Sequence, residues 1–301
     1  GNELAKPICP LGYLMLANPI RKAAKETFSY FAEQGVEVKV ISGDNPVTVS
    51  KVAKTAGIKN AENYVDASSL ETEEDIKKSV DELEEAIHNA QIMMLPGGFS
   101  AGDEPEGSGK FIATVLRNPR LKAAIDDLLD NREGLMIGIC NGFQALVKLG
   151  LLPHGHIKDM SKDDPTLTFN TIGRHLSQMV TTRVSSVKSP WLANVELGDE
   201  HIIPISHGEG RFVAPKEVLD QLIDNGQVAF QYVDPNGNVT MESPYNPNGS
   251  MYGIEGIVSE DGRVLGKMGH SERQGENRDL NIYGEMDQKL FEAGVKYFKG
   301  E

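Results

Sequence analysis

Short apolar runs alternate with segments of helical spacing through the middle of the chain. Residues 92–95 (IMML) and 135–139 (LMIGI) carry no polar side chain, and the segments 109–129 and 143–152 that follow them repeat apolar residues with a helical period. Strands without polar positions are typical of a parallel sheet that helices cover on both faces. We therefore predict an α/β fold for this part of the chain.

The N-terminal part predicts further elements of both kinds. Helical spacing is found at residues 21–34, 45–56 and 71–89, and strand-like runs at 13–16 and 36–41. The third helix is rich in acidic residues, which we interpret as a solvated face. The first strand, first helix and second strand together form a unit of the βαβ kind.

The second half of the chain has a different pattern. Short β-like runs occur at residues 179–187, 201–205 and 228–233, and Asn-Gly and Asp-Gly pairs lie between such runs. These pairs favour tight turns. We therefore expect the second half to be rich in β-structure.

Composition narrows the classes of function. The 301 residues include 30 Lys and Arg against 44 Asp and Glu, a formal charge of −14, so nucleic acid is not an expected partner. No run approaches the roughly 18–20 apolar residues of a membrane span, and residues 1–6 lack a signal-peptide pattern. We expect a cytoplasmic protein with no membrane partner.

The cysteines leave one candidate for thiol chemistry. Cys9 and Cys140 are too few for a disulfide framework or a four-cysteine zinc site. His154 and His156 are close in sequence, but no cysteine or clear carboxylate stands at a useful spacing for a metal site. We expect no metal site. No catalytic pattern surrounds Cys9, which leaves Cys140.

Cys140 follows an apolar strand and precedes a helix, in the pattern Gly138-x-Cys140-x-Gly142. In a nucleophile elbow the reactive residue occupies a strained turn, and glycines two residues away relieve the crowding. The N-terminus of the following helix would also favour a thiolate. A lone cysteine is more often a small buried residue, but the whole pattern favours a nucleophile.

A cysteine nucleophile needs a base, and the base needs an orienting group. His270 and Glu272 form a His-x-Glu pair after a strand-like run at residues 263–268. The pair alone is a weak signal, but with the elbow cysteine it indicates a Cys-His-Glu triad. His207, in the glycine-rich segment 206–211, could line a pocket or be an ordinary loop residue, and the pattern leaves both open.

The glycine-rich loop at residues 96–103 lies between a predicted strand and a predicted helix. Its backbone N–H groups could bind phosphate, but the Gly-Lys-Ser/Thr ending of a P-loop is absent. They could instead form half of an oxyanion hole, with the N–H of Asn141 as the other half. We favour the oxyanion hole because it uses the same cysteine.

Six ordered motifs carry a specific resemblance. They are PGGFSAGDEPEGSGKF, GICNGFQALVKLGLL, SHGEGRFVAP, YVDPNGNVT, NPNGSMYGIEGI and MGHSER. Together they resemble the glutaminase domain of phosphoribosylformylglycinamidine synthase, an enzyme of purine synthesis, from about residue 81 to the C-terminus. The resemblance implies a flavodoxin-like sheet of the class I glutamine amidotransferases, with helices on both faces and a β-rich second half.

The resemblance also implies roles for the residues of the motifs. Cys140 would attack the side-chain amide of glutamine and form a thioester, with His270 as general base and acid and Glu272 orienting it. The N–H groups of Gly98 and Asn141 would hold the oxyanion. The residues implied in glutamine binding are Phe99, Gln144, Ser206, His207, Gly208 and Glu209.

A second active site is implied outside this chain. The released ammonia would reach a formylglycinamide ribonucleotide synthetase domain or subunit, in which ATP and magnesium are expected. No such ATP site is evident in this sequence, so we expect no cofactor here and a synthetase as partner.

A different resemblance covers residues 10–74. The segment VKVISGDNPVTVSKVAKTAGI and the residues before it resemble part of the phosphorylation domain of P-type cation ATPases. The Asp-Lys-Thr-Gly-Thr and Gly-Asp-Gly-x-Asn-Asp segments of that domain are absent. Asp44 is the one matching functional position, and it cannot transfer a phosphoryl group alone.

These resemblances predict two parts, 1–79 and 80–301. We hypothesise that residues 13–41 supply the first strand, helix and strand of the glutaminase sheet, so that the chain is a fusion or chimera. We assign no role to residues 42–66.

Other functions remain open from the sequence. The altered N-terminus could leave a catalytically impaired fusion or scaffold protein, and Asp44 could mark a nucleotide-binding ATPase-like fragment. A peptidase with an elbow cysteine is disfavoured because Asn141 stands where such enzymes carry a histidine beside the nucleophile.

Overall fold

The computed structural model describes most of the second half of the chain and parts of the first. The described residues are 22–33, 38, 40, 45–64, 72–99, 107–273 and 279–299. The predicted strand at 13–16 lies outside them, as do all but two positions of the one at 36–41. The hypothesis that residues 13–41 begin the sheet therefore stays a prediction.

Nine strands are found in the described residues, and seven of them form one sheet. They are β1 (Ile92–Leu95), β2 (Leu135–Ile139), β3 (Thr166–Thr168), β4 (Leu176–Val184), β5 (Glu200–His207), β6 (Arg211–Val213), β7 (Val228–Tyr232), β8 (Ile254–Val258) and β9 (Val264–Lys267). The sheet has the order β1-β2-β9-β8-β7-β4-β5, and β3 pairs with β6 separately. The first three strands of that order are parallel and the remaining pairs antiparallel.

The helices of the first half agree with the periodic segments, whereas two helices of the second half were not predicted. They are α1 (Lys22–Glu33), α2 (Pro46–Ala56), α3 (Glu73–Asn89), α4 (Lys110–Leu116), α5 (Pro119–Asp126), α6 (Asn141–Leu149), the one-turn α7 (Leu151–His154), α8 (Lys216–Asp224) and α9 (Leu290–Lys299). Asn45 caps α2, and Thr72 forms a capping box with Asp75 at the start of α3. Such caps satisfy backbone N–H groups that the first turn leaves unpaired.

The predicted α/β fold is confirmed, and the β-rich second half proves to continue the same sheet. β9 pairs in parallel with β2 on one side and antiparallel with β8 on the other, so it joins the two halves. β2 is buried at every position, as its apolar sequence predicts. None of the helices in the described part of the chain has the length and hydropathy that crossing a membrane requires.

Close packing at the end of β2 places Cys140 at the edge of the sheet. α6 begins directly after Cys140 and packs on β2 and β9. A Cβ on Gly142 would lie 1.9 Å from the carbonyl oxygen of Leu95, and one on Gly138 would lie 2.5 Å from Leu146 Cδ1. Both glycines are thus required by contact between elements, in agreement with the elbow pattern.

Gly142→Ala is expected to destabilise the protein by about 3 kcal/mol, because the new methyl group overlaps a backbone oxygen that cannot rotate away. Chemical denaturation of both proteins measures the difference in the free energy of unfolding. Gly208→Ala is the matched control, since a Cβ there meets nothing within 4 Å. Equal stability of Gly142→Ala and the wild type would contradict the packing argument.

Candidate active site

Cys140 occupies a strained turn between β2 and α6. Its backbone has φ 54° and ψ −107°, outside the regions that non-glycine residues normally adopt. The Cys140 N–H donates to the carbonyl of Lys267 at 2.8 Å, which fixes the turn to the end of β9. Backbone strain of this kind is found where a reactive side chain must be held in one direction.

The thiol of Cys140 is buried. Burial raises its pKa to about 12, against a smaller lowering by the N–H of Asn141. The sulfur lies 3.7 Å from the carbonyl oxygen of Ser206, to which the S–H donates. The expectation of a thiolate at the start of α6 therefore does not hold in this state, because desolvation of the charged form outweighs the helix N-terminus.

His270 and Glu272 form a close pair at the end of β9. The Nδ1–H of His270 donates to Glu272 Oε1 at 2.6 Å, and His270 is 1% exposed. Burial raises the pKa of Glu272, but the hydrogen bond from His270 and the electrostatic interaction with that side chain outweigh the effect of burial, so the pKa of Glu272 lies below its usual value. The carboxylate thus fixes the ring with Nδ1 protonated. Within the described structure, the buried Nε2 has no hydrogen-bond partner.

Cys140 and His270 converge on Gly97 in the loop after β1. A Cβ at Gly97 would lie 2.8 Å from His270 Cε1 and 3.2 Å from Cys140 Cβ. Any larger residue would push into the space between the two side chains. The structure therefore brings together Cys140, His270 and Glu272, which are far apart in sequence.

A cavity opens at Cys140, and the predicted binding residues surround it. Ser108 and Arg273, which sequence reasoning did not single out, also line it. The predicted residues in its walls are Gly98, Phe99, Cys140, Gln144, Ser206, His207, Gly208, Glu209 and His270. Phe99 is 75% exposed, so it lies at the mouth rather than in the interior.

Glu209 and Gln144 hold the wall of the cavity together. One oxygen of the Glu209 carboxylate accepts the N–H of Ser108 at 3.0 Å, and its backbone carbonyl accepts from Gln144 Nε2. Both residues are part of the site, but the Glu209 oxygen and the Gln144 Nε2 already have protein partners. Their first role is to join the segment 206–210 to the loop before α4 and to α6.

Asn170 is a residue of the site that sequence reasoning missed. Its Nδ2 donates to the carbonyl of His207 at 2.8 Å, and its Oδ1 accepts the N–H of Gly210 at 3.1 Å. The same oxygen lies 3.2 Å from His207 Nδ1. The buried amide thus sets the shape of the glycine-rich segment, and no sequence motif around Asn170 indicates this.

The nucleotide-binding alternative remains untested by the structure. Asp44, on which a nucleotide-binding fragment would rest, lies outside the described residues. Among the residues that the structure describes, no cluster of three His, Cys, Asp or Glu side chains could hold a metal ion.

Acid should destabilise the protein partly through His207. Burial lowers its pKa to about 4, with added repulsion from His270 and His175. The unfolded chain, with a histidine pKa of about 6.5, binds more protons between these values, so stability falls as pH drops from about 6.5 to about 4. The full effect is on the order of 3 kcal/mol.

His207→Gln should therefore show a weaker loss of stability across that pH range than the wild type. Urea unfolding at a series of pH values measures it. His156→Gln is the control, because His156 is exposed and should leave the pH dependence unchanged. A His207→Gln profile parallel to that of the wild type would refute the effect of burial.

Comparisons with known proteins agree with this geometry. Residues 47–298 match the family described as CobB/CobQ-like glutamine amidotransferase domain. The match begins inside the segment that resembles an ATPase and before the predicted boundary at residue 80. The resemblance of residues 10–74 to an ATPase therefore stays a prediction.

Individual relatives point the same way. Phosphoribosylformylglycinamidine synthase subunit PurQ of Aquifex aeolicus is 36% identical over 194 residues, which cover 64% of this chain and 77% of that protein. The protein of the same name from Chlorobium chlorochromatii is 37% identical over 215 residues, covering 71% and 82%. The structure titled PurLQS from Thermotoga maritima matches with TM-score 0.51 and 30% identity, over 70% of this chain and 81% of that one. The chain therefore belongs to the PurQ-type glutamine amidotransferase family.

Proposed function

We propose that this protein is the glutaminase part of phosphoribosylformylglycinamidine synthase and delivers ammonia from glutamine for purine biosynthesis. The observation that carries the proposal is the meeting of Cys140 and His270 at Gly97, with Glu272 bound to the far side of the imidazole. The names of the similar proteins support the reaction. A cytoplasmic location is part of the proposal.

The reaction starts with transfer of the Cys140 proton to Nε2 of His270. The sulfur then attacks the side-chain carbonyl carbon of glutamine and forms a tetrahedral oxyanion. Collapse of this intermediate breaks the carbon–nitrogen bond, and His270 protonates the leaving nitrogen, so ammonia and a thioester result. Water, deprotonated by His270, attacks the thioester and releases glutamate and the Cys140 thiol.

The oxyanion hole is proposed at Gly98 and Asn141. Asn141 is the first residue of α6, and its backbone N–H interacts with the Cys140 sulfur. Gly98 has φ 149°, a conformation open mainly to glycine, in the loop directly after Gly97. Two such N–H groups would stabilise the oxyanion without rearrangement.

Glutamine would occupy the cavity with its amide at Cys140. The substrate would pass Phe99 at the mouth of the cavity. It would then lie against the wall formed by Gln144 and the segment 206–209. The ordering of this wall by Asn170 and Ser108 means that little binding free energy is lost in shaping the site.

The proposed partner is a synthetase domain or subunit that consumes the ammonia. The relatives are named as subunits of the synthase, and one similar structure is titled PurLQS. ATP and magnesium belong to that partner under the proposal. A catalytically impaired fusion or scaffold is the alternative. Because burial raises the pKa of Cys140, the reactivity of the free thiol does not distinguish the enzyme from the scaffold.

Cys140→Ala should lower glutamine hydrolysis, measured as glutamate release in the presence of the synthetase partner, by about 10³-fold or more, because no other group forms the thioester. Cys140→Ser is a matched variant of similar volume and should also be nearly inactive. Comparable rates in wild type and Cys140→Ala would remove Cys140 as the nucleophile. A wild type inactive with its partner would favour the scaffold.

Alkylation of Cys140 by iodoacetamide should be slow at neutral pH and rise only at strongly alkaline pH, since the thiolate is the reacting form and burial raises its pKa to about 12. Mass spectrometry of the Cys140 peptide against that of Cys9 gives the rate at each thiol. An ordinary titration near pH ~8.5 at Cys140 would contradict the effect of burial.

A further inference from the structure

A lysine and a glutamate form an ion pair in the interior of the sheet. The side chains of Lys267 on β9 and Glu255 on β8 are each 0% exposed, and Lys267 Nζ lies 3.3 Å from Glu255 Oε1. Phe230 of β7 lies on another side, with its ring centre 5.3 Å from the ammonium group. Both charges are thus removed from water.

The two side chains hold both polar groups of Gly269. Lys267 Nζ donates to the carbonyl of Gly269 at 2.9 Å, and Glu255 Oε1 accepts the N–H of Gly269 at 2.5 Å. A Cβ on Gly269 would lie 2.8 Å from that carboxylate oxygen and 3.0 Å from the ammonium nitrogen. The arrangement therefore fits a glycine closely and fixes the backbone one residue before His270.

Lys267 also contacts the nucleophile through its backbone. Its carbonyl oxygen accepts the N–H of Cys140 at 2.8 Å. The N–H of His270 in turn donates to the carbonyl of Pro204 at 2.8 Å. Lys267 is thus linked by its backbone to Cys140 and by its side chain to the residue that precedes His270.

Stability does not explain why charged residues occupy these positions. Removing two charges from water is costly, and well-packed apolar residues of similar volume often give equal or greater stability. The buried Oε2 of Glu255 has no hydrogen-bond partner in the described part of the chain, which adds to the cost. What the pair supplies, and apolar residues would not, is a donor and an acceptor for Gly269.

We propose that Glu255 and Lys267 are positioning residues that hold His270 in register with Cys140 through the backbone of Gly269. The inference rests on the proposed glutaminase function. Neither Glu255 nor Lys267 lines the cavity proposed for glutamine, so their loss should change the rate of thioester formation and leave glutamine binding unchanged.

The test replaces the pair by Glu255→Leu with Lys267→Met, which keeps the volume and the net charge. In the presence of the synthetase partner, kcat for glutamine hydrolysis should fall about 10- to 100-fold, while KM stays within about twofold. Thermal unfolding should show a Tm equal to or above that of the wild type.

A second double variant separates hydrogen bonding from packing. Glu255→Gln with Lys267→Gln removes the charges but keeps an acceptor and a donor for Gly269. The kcat of this variant should be at least about tenfold higher than that of the Leu/Met variant. Lys158→Met with Asp164→Leu removes a Lys–Asp pair that lies 3.6 Å apart outside the cavity, and should leave kcat unchanged.

Each result has a defined meaning. A folded Leu/Met variant with the kcat of the wild type would overturn the positioning role. So would a folded Leu/Met variant whose KM rises by the same factor as its kcat falls. A Leu/Met variant that fails to fold would also overturn it, because the pair would then serve the fold. The proposed function itself fails only if hydrolysis by the wild type is absent or independent of Cys140.

Discussion

The site depends on the close approach of α6 to the end of β1. Gly142 must lack a side chain because the carbonyl of Leu95 occupies the position that a Cβ would take. This contact leaves Cys140 no room to relax out of its strained turn. The side chain of Cys140 is consequently held close to Gly97, and the ring of His270 lies close to the same glycine. The same packing that stabilises the parallel half of the sheet therefore determines the position of Cys140.

Burial of both reacting groups determines the state of the site. The thiol keeps its proton because a lone thiolate would be poorly solvated, while the imidazole is oriented by Glu272 and keeps Nε2 free of protein partners in the described structure. In the proposed mechanism, transfer of the proton makes a thiolate and an imidazolium side by side. The Asn141 N–H and the Glu272 carboxylate would stabilise these two charges under that proposal without rearrangement of solvent.

The parts of this site that could be predicted from sequence are those with local causes. Strain at Cys140 demands glycines two residues away, and the Glu272 that orients His270 lies two residues along the chain, so both leave short patterns. Asn170 leaves none, because its partners His207 and Gly210 lie 37 and 40 residues further along the chain. The Glu255–Lys267 pair leaves none either, because its two side chains meet only through the pairing of β8 with β9 in the interior of the sheet. The raised pKa of Cys140 leaves no sequence pattern for a similar reason, because the burial that causes it is a property of the whole fold. The strands at 13–16 and 36–41 stay predictions.

β9 is the element through which the two halves act on each other. On its parallel side it binds the elbow through the Lys267 carbonyl, and on its antiparallel side it is held by β8 through Glu255. The carbonyls of Pro204 and Ser206 on β5, at the other end of the sheet order, receive the N–H of His270 and the thiol of Cys140. The sheet must therefore curl until β5 meets β9 at this edge. The curvature of the antiparallel half, set far from the elbow, thus determines the spacing between Cys140 and His270.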